Sequence, residues 1–198
     1  GYAGLKDKHA MTKQHISLHR KYEEKMNEFD NEDVKIISKT YHNNKIKIGW
    51  FSYSCCEDNT VVMTEVMNDH WQEWKKIFDF RHVRVLKKNN IFDEFDIAFI
   101  EGAVASEKQE AEIKDIRSRS KKLVTVGSCA VIGIPAGNRN NFTEEQHANI
   151  DFLVMKFGAF PKVKRVSEVV KVDVEIPGCP MSPENFLENV NLLVAEFK

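Results

Sequence analysis

The chain has no apolar run of the roughly 20 residues that a bilayer-spanning helix needs, and it shows no signal peptide or twin-arginine leader. It has no excess of charge of one sign, because 29 basic residues face 30 acidic ones. That balance argues against a chain-wide attraction to nucleic acid or anionic membranes. Only four of the 198 residues are cysteine, too few for the disulfide framework of a small secreted domain. We therefore expect a cytoplasmic protein without a transmembrane segment.

From about residue 45 onward, short apolar runs alternate with stretches of helical periodicity. The runs that we predict as buried strands are 46–51, 83–86, 97–102, 123–128 and 174–176. A helix is predicted over 60–79, and three later helices have start signals: Ser106 with Gln109, Thr143 with Gln146, and Ser182 followed by Pro183. This alternation predicts an α/β fold with a doubly wound, mostly parallel sheet.

The first 48 residues have a different character, with more basic than acidic side chains and no cysteine. They contain an amphipathic stretch and a hairpin-like stretch with Asn43-Asn44 as its turn. A segment this small cannot bury much surface alone. We predict two domains: an N-terminal appendage of uncertain structure at 1–48 and an α/β domain at 49–198.

Each cysteine follows a predicted strand. Cys55 and Cys56 come after the first strand, Cys129 follows 123–128, and Cys179 follows 174–176. In an open parallel sheet, ligands bind outside the carboxyl ends of the strands, so the four cysteines are predicted to meet at one edge. The Gly and Pro neighbours of Cys129 and Cys179 let the backbone approach a bulky group and leave amide N–H groups free to face an anion.

Four converging thiolates suit an iron–sulfur cluster, in which each iron takes one cysteine. Zinc is the competing metal, but structural zinc sites usually bring cysteines in pairs about two to four residues apart. Adjacent cysteines reach a single tetrahedral ion awkwardly, whereas they can bind different irons of a cubane. The pair Cys55-Cys56 therefore favours a cluster. The remaining alternative is that the cysteines merely fill core space.

Four stretches, GWFSYSCCEDNT, IEGAVA, VGSCAVIGIPAG and IPGCPMSPENF, resemble the small subunit of nickel–iron hydrogenases and the related 20 kDa subunit of respiratory complex I. The resemblance covers roughly residues 45–198. It implies a flavodoxin-like domain with one [4Fe–4S] cluster, facing a large partner subunit that holds the nickel–iron site. It further implies an oxidoreductase subunit that is not catalytic alone and relays electrons to another iron–sulfur or flavin subunit.

Carried over onto this sequence, the resemblance implies that Cys56, Cys129 and Cys179 are cluster ligands in both branches of the family. Hydrogenase small subunits usually place the fourth cysteine where Tyr53 stands here, whereas complex I subunits use a tandem pair, which corresponds to Cys55. Since the chain has only four cysteines, we predict Cys55 as the fourth ligand and a single cluster.

Two acidic residues also match the resemblance. Glu57 and Glu101 correspond to acidic positions near the cluster and the subunit interface, and they are candidates for a proton or electron path. The alternative is that Glu57 is a helix-start carboxylate and Glu101 a solvated carboxylate at a strand end.

Residues 1–48 resemble another family, the D-type tRNA pseudouridine synthases, through GYAGLKDKHAMTKQ and the stretch that follows. The resemblance places the nucleophilic aspartate at Asp7, and Lys6, Lys8 and Lys13 could contact phosphate. The rest of that catalytic domain, including the pocket for a flipped base, has no counterpart here, so Asp7 is expected to be an ordinary solvated carboxylate and RNA is not an expected partner. The junction is predicted around 45–50, where both patterns agree.

Two alternative functions stay open at this point. The first is an RNA-modifying or RNA-binding protein related to tRNA pseudouridine synthase. The second is a regulatory or assembly protein that keeps the fold without passing electrons.

Overall fold

The structure, a computed structural model, describes residues 45–197; Asp7, the predicted turn at Asn43-Asn44 and the rest of 1–44, together with residue 198, lie outside the described residues. The strands are β1 Ile46–Ser52, β2 Phe78–Val83, β3 Phe95–Glu101, β4 Val104–Ser106, β5 Ser120–Val126, β6 Ala159–Lys164 and β7 Val174–Ile176. The α-helices are α1 Asp58–Ile77, α2 Glu107–Arg119, α3 Gly127–Ile132, α4 Glu144–Lys156 and α5 Pro183–Glu196. Short 3-10 turns occupy Asn138–Asn141 and Val166–Glu168.

Five strands form the central sheet in the order β2-β1-β3-β5-β7, and every neighbouring pair is parallel. Numbered only within this sheet, the order is 2-1-3-4-5, which is the flavodoxin-like arrangement. The predicted doubly wound α/β fold is therefore confirmed. A second sheet, in which β4 pairs antiparallel with β6, was not predicted from the sequence.

The helices cover both faces of the central sheet, because strand side chains alternate between two apolar clusters. On one face α1 and α5 pack on the cluster that contains Trp50 and Phe99, whose rings stack with centroids 5.5 Å apart. On the other face Ile113 and Ile116 of α2 pack on Phe51 and neighbouring strand residues. With both faces buried, the strands are the continuous apolar runs that a parallel sheet requires.

The helix starts are confirmed, whereas one strand prediction is wrong. Ser106, Thr143 and Ser182 each accept a hydrogen bond from the amide three residues later. The strand predicted at 83–86 is instead Phe78–Val83, and 84–86 form a turn. The physical reason is strand pairing, because β1 pairs with β2 from Phe78 to Val83. Val85 is 55% exposed, so continuing the strand to this residue would bury little apolar surface.

Two other boundaries shift by a few residues. Helix α1 spans Asp58–Ile77, so Phe78, which the sequence pattern placed in the helix, begins β2. Strand β5 ends at Val126, and the following Gly-Ser-Cys segment forms the start of α3 instead of extending the strand.

Helix α4 buries none of its residues within the described part of the chain. At its carboxyl end, Phe152, Met155 and the following Phe157 are 61%, 75% and 75% exposed. The described helices include none with the length and apolar character that a membrane crossing requires.

Candidate metal centre

The four cysteines lie in three segments at the carboxyl ends of the central strands. Cys55 and Cys56 lie between β1 and α1, Cys129 lies in α3 directly after β5, and Cys179 follows β7. None of the four forms a disulfide; Cys129 is buried, Cys55 is half-buried, and Cys56 and Cys179 are exposed. The strand polarity argued from the sequence therefore puts all four at one edge of the sheet.

The cysteines are close enough to influence one another's ionisation. Burial raises the pKa of Cys129, and the nearby thiols of Cys179 and Cys56 raise it further. Burial also raises the pKa of Cys55 to about 12, with smaller contributions from Glu101 and Cys129. Two backbone amides act in the opposite direction, since N–H groups of Glu57 and Ala136 donate to Cys55 and Cys129 and lower these pKa values.

Backbone hydrogen bonds hold the three segments beside one another. The Ser128 amide donates to the Gly178 carbonyl at 2.7 Å, which joins the segments of Cys129 and Cys179. Ser54 and Ala103 exchange two bonds of 3.2 and 3.0 Å, which fix the segment of Cys55 beside the end of β3. The sequence pattern suggested free amides around Cys129 and Cys179. The Ser128 amide is not one of them, because it is used between the loops.

Glu101 is completely buried at the end of β3, so the alternative of a solvated carboxylate is wrong. Its Oε1 accepts hydrogen bonds from the Cys55 thiol at 3.3 Å and from the Thr60 hydroxyl at 3.2 Å. Its Oε2 has no partner among the described residues. Burial raises the pKa of this carboxyl group above its ordinary value.

Sequence reasoning missed Thr60 and Trp50. The Trp50 indole N–H donates to the Thr60 hydroxyl at 2.8 Å, which leaves the Thr60 proton free to point at Glu101. Trp50 lies in a run that the sequence predicts as a buried strand, but Thr60 is a polar residue, and nothing local in the sequence signals that it is buried or that the two meet.

Glu57 lies at the helix start, as its alternative interpretation has it, but its side chain does not cap the helix. The residue has φ 66° and ψ 15°, a left-handed conformation that is uncommon for a residue other than glycine. With Arg84 and Thr60 it lines an open cavity of about 370 Å³ beside the cysteine segments.

Tyr53 stands where the hydrogenase pattern would place a cysteine, but its surroundings differ from those of the four cysteines. Its side chain packs on the apolar cluster of Phe51 and Ile100. It also lines a cavity with His82 and Glu112, and no cysteine lines this cavity. Burial, and secondarily Glu112, raises the pKa of the Tyr53 hydroxyl.

The donor set and its surroundings fit an iron–sulfur cluster. Four cysteine sulfurs come from three adjoining segments, and two of these sulfurs receive backbone N–H groups, the kind of bond that tunes such clusters. Cys55, Cys56, Cys129 and Cys179 would hold the group. Within residues 45–197, no three His, Cys, Asp or Glu side chains are arranged to hold a single metal ion.

Comparison with known families divides the chain in two. Residues 56–193 match the family described as NADH ubiquinone oxidoreductase, 20 Kd subunit. Residues 1–52 match the family described as tRNA pseudouridine synthase D. The first match begins at Cys56 and contains Cys129 and Cys179, and Cys55 lies one residue before it.

Individual relatives agree with this division. The gamma subunit of coenzyme F420 hydrogenase from Methanosarcina barkeri is 30% identical over 165 residues, 76% of this chain and 54% of that protein. The tRNA pseudouridine synthase D of Sulfurimonas denitrificans is 84% identical over 49 residues, 25% of this chain and 14% of that protein. The chain thus spans about half of the first relative and a small part of the second.

A solved structure supports the same assignment. A chain of the NAD⁺-reducing [NiFe]-hydrogenase in the H₂-reduced state superimposes with a TM-score of 0.63 at 25% identity. The match covers 76% of this chain and 92% of that chain. Through residues 56–193, the protein belongs to the NADH ubiquinone oxidoreductase 20 Kd subunit family of oxidoreductases, and it is homologous to hydrogenase small and gamma subunits.

Proposed function

We propose that residues 45–197 act as the electron-transfer subunit of a nickel–iron hydrogenase-like complex and relay electrons through one [4Fe–4S] cluster. The observation that carries the proposal is the convergence of Cys55, Cys56, Cys129 and Cys179 at one edge of the sheet, where Cys129 interacts electrostatically with each of the other three. The homology to hydrogenase subunits gives this sulfur site its redox context.

When bound, the cluster supplies reversible one-electron transfer. The chain supplies the thiolate ligands and their surroundings. The amides of Glu57 and Ala136 stabilise negative charge on the sulfurs of Cys55 and Cys129. The buried positions of Cys129 and Glu101 limit the access of water to this side of the site.

The partners follow from the same proposal. A large subunit would hold the nickel–iron site, and a further iron–sulfur or flavin subunit would exchange electrons with the cluster. Glu57 and Glu101 would lie on the path of protons or electrons beside the cluster. The location stays the cytoplasm expected from the sequence.

The test is the iron and acid-labile sulfide content of anaerobically purified protein, with electron paramagnetic resonance of the reduced sample. We expect about four irons and four sulfides per chain. Cys129→Ser and Cys179→Ser should lose most of both. Ser128→Ala is the matched control, because it alters the residue beside Cys129 without removing a ligand, and it should keep wild-type iron.

Two results would contradict the proposal. One is wild-type protein that folds but takes up no iron or sulfide after reconstitution. The other is full iron content in both serine variants. Cysteine substitutions that remove the cluster but leave hydrogen turnover of the assembled complex intact would instead support a regulatory or assembly role.

A second candidate function rests on the 84% identity of 49 residues to a tRNA pseudouridine synthase. Because this stretch is only 14% of that protein, we infer that the N-terminal segment alone does not isomerise uridine. The test is pseudouridine formation in unmodified tRNA by the full chain and by Asp7→Asn. Turnover that disappears in Asp7→Asn would overturn the inference. Salt-sensitive tRNA binding that depends on Lys6 and Lys8 would support an RNA-binding role.

A further inference from the structure

The side chain of Asn59 touches two of the three cysteine segments and directly follows the third. It lies three residues after Cys56, in the first turn of α1, and is only 6% exposed. Its Oδ1 accepts a 2.8 Å hydrogen bond from the amide of Met181, two residues after Cys179. The same side-chain amide lies against Gly127, two residues before Cys129, where an added Cβ would come within 2.2 Å of Asn59 Nδ2.

We propose that Asn59 is a positioning residue that sets the spacing between the cysteine segments. The inference rests on the proposed function, since this spacing matters only if the four cysteines hold a common group. Asn59 would not bind the cluster itself. It would act through the two loops that carry Cys129 and Cys179.

The anchoring of Asn59 makes this role effective. The same turn of α1 continues into Val62 and Met63, which are buried in the main apolar cluster, so the position of Asn59 is fixed by the core. Met181 is 1% exposed, and its amide would be left unsatisfied in an apolar environment without Asn59 Oδ1. Breaking this bond therefore costs free energy. As a result, the loop that carries Cys179 is held in a fixed position relative to α1.

The contact with Gly127 is steric. Gly127 has φ +82°, a conformation that favours glycine, and the absence of a Cβ makes room for the Asn59 amide. The segments of Cys129 and Cys179 are bonded to each other through Ser128 and Gly178. Asn59 adds the link from both of them to the segment of Cys55 and Cys56.

The first experiment measures iron release from the reconstituted full chain to an excess of a ferrous chelator. We expect Asn59→Ala to release iron about tenfold faster than wild type, the scale of loss seen when residues that orient metal ligands are removed. The matched control is Asn90→Ala. Asn90 also accepts a 2.8 Å bond from a backbone amide, that of Val83, but it lies in the loop after β2, and its own side-chain amide donates to Lys87 within that loop.

Asn90→Ala should lower the denaturation midpoint as Asn59→Ala does, with iron release within about twofold of wild type. Equal acceleration in both variants would show that lost stability, and not positioning, controls release. A wild-type rate in Asn59→Ala would also overturn the proposal.

A double-mutant cycle provides an independent variant. Gly127→Ala forces the Asn59 amide to move, and Asn59→Ala removes the group that it strikes. The double variant should therefore release iron more slowly than the product of the two single effects predicts. Strictly multiplicative effects would show that the two positions do not act on each other.

A metal-free measurement separates failure of this inference from failure of the proposed function. In metal-free protein, a short bifunctional maleimide should cross-link Cys56 to Cys179 less efficiently in Asn59→Ala than in wild type. Unchanged cross-linking would overturn the role of Asn59. Absence of iron in wild type, with reduced cross-linking in the variant, would reject the cluster and keep the positioning role.

Discussion

The thiol of Cys55 donates a 3.3 Å hydrogen bond to Oε1 of Glu101, a carboxyl group without exposed surface. Burial raises the pKa of this thiol to about 12, and the adjacent Glu101 adds to the effect. In metal-free protein Cys55 is therefore protonated at neutral pH. Because the thiolate is the nucleophile, the residue should be unreactive until a metal displaces its proton.

This relationship predicts an order of alkylation in metal-free protein. At pH 8, iodoacetamide should modify the exposed Cys56 at least about tenfold faster than Cys55. Glu101→Gln should accelerate modification of Cys55, because it removes the neighbouring negative charge, and should leave Cys56 unchanged. Peptide mass spectrometry over time gives both rates. Equal rates for the two cysteines in wild type would contradict the prediction.

The fourth ligand can be tested by moving the thiol. Cys55→Ser should lose most of the cluster, and adding Tyr53→Cys to it should not restore iron. The reason is that the Tyr53 side chain packs on apolar side chains, those of Phe51 and Ile100, and not among the cysteines. Iron and sulfide analysis of both variants provides the measurement. Full restoration by Tyr53→Cys would mean that the site follows the hydrogenase pattern after all.

Close backbone approach at Gly102 predicts a large effect of a single methyl group. Gly102 has φ +93°, and an added Cβ would lie 2.8 Å from backbone atoms of Tyr53 and Ser54. Gly102→Ala should therefore destabilise the protein by about 2–4 kcal/mol. Gly158→Ala is the matched control, since Gly158 has φ +59° but no atom of the described residues meets its added Cβ within 4 Å, and it should cost about 1–2 kcal/mol.

Chemical denaturation of both glycine variants measures the difference between them. Similar losses of unfolding free energy would show that backbone conformation alone explains Gly102. In that case the approach of the Cys55 segment to β3 would not be sterically tight.

The hydrogen bonds of Asp173 predict that the free energy of unfolding decreases in acid. Burial opposes its ionisation, but the Leu123 amide at 2.8 Å and the Arg117 guanidinium at 2.5 Å outweigh this and lower its pKa. A carboxyl group with a lowered folded-state pKa stabilises the fold above its unfolded pKa of about 3.9 and loses that contribution as pH falls through the folded-state value.

Asp173→Asn should accordingly cost about 1.5–3 kcal/mol at pH 7, and the difference from wild type should shrink below about pH 4. Asp115→Asn, which removes an exposed ion pair with Arg119, should stay within about 0.5 kcal/mol of wild type. Urea denaturation as a function of pH measures both. A difference for Asp173→Asn that does not change with pH would show that its charge is not the cause.

The sequence correctly predicted the helix starts, because the hydrogen bonds that form them join residues close together in the chain. Ser106, Thr143 and Ser182 bond to amides three residues away, so the sequence around each was sufficient. The strand at 83–86 failed because Val85 and Leu86 have strand-like composition but no buried place beside β1. The pairing of β4 with β6 joins short segments far apart in the chain, and their pairing depends on the completed fold.

The candidate site likewise has a part that the sequence predicts and a part that depends on distant contacts. Strand polarity was enough to bring the four cysteines to one edge of the sheet. The residues that hold their surroundings have distant partners: Thr60 bonds to Glu101 across 41 positions and Asn59 to Met181 across 122. No pattern in the neighbouring sequence announces such pairs. These pairs can be identified only from the folded structure, in which the strands are in register.

The apolar end of α4 has a practical consequence for anyone who handles this protein. Phe152, Met155 and Phe157 face solvent in the described part of the chain, and exposed apolar side chains promote association. Preparations of the isolated chain should bind a dye such as ANS and scatter more light as they are concentrated. Dilute buffers with mild detergent should keep samples clear enough for spectroscopy.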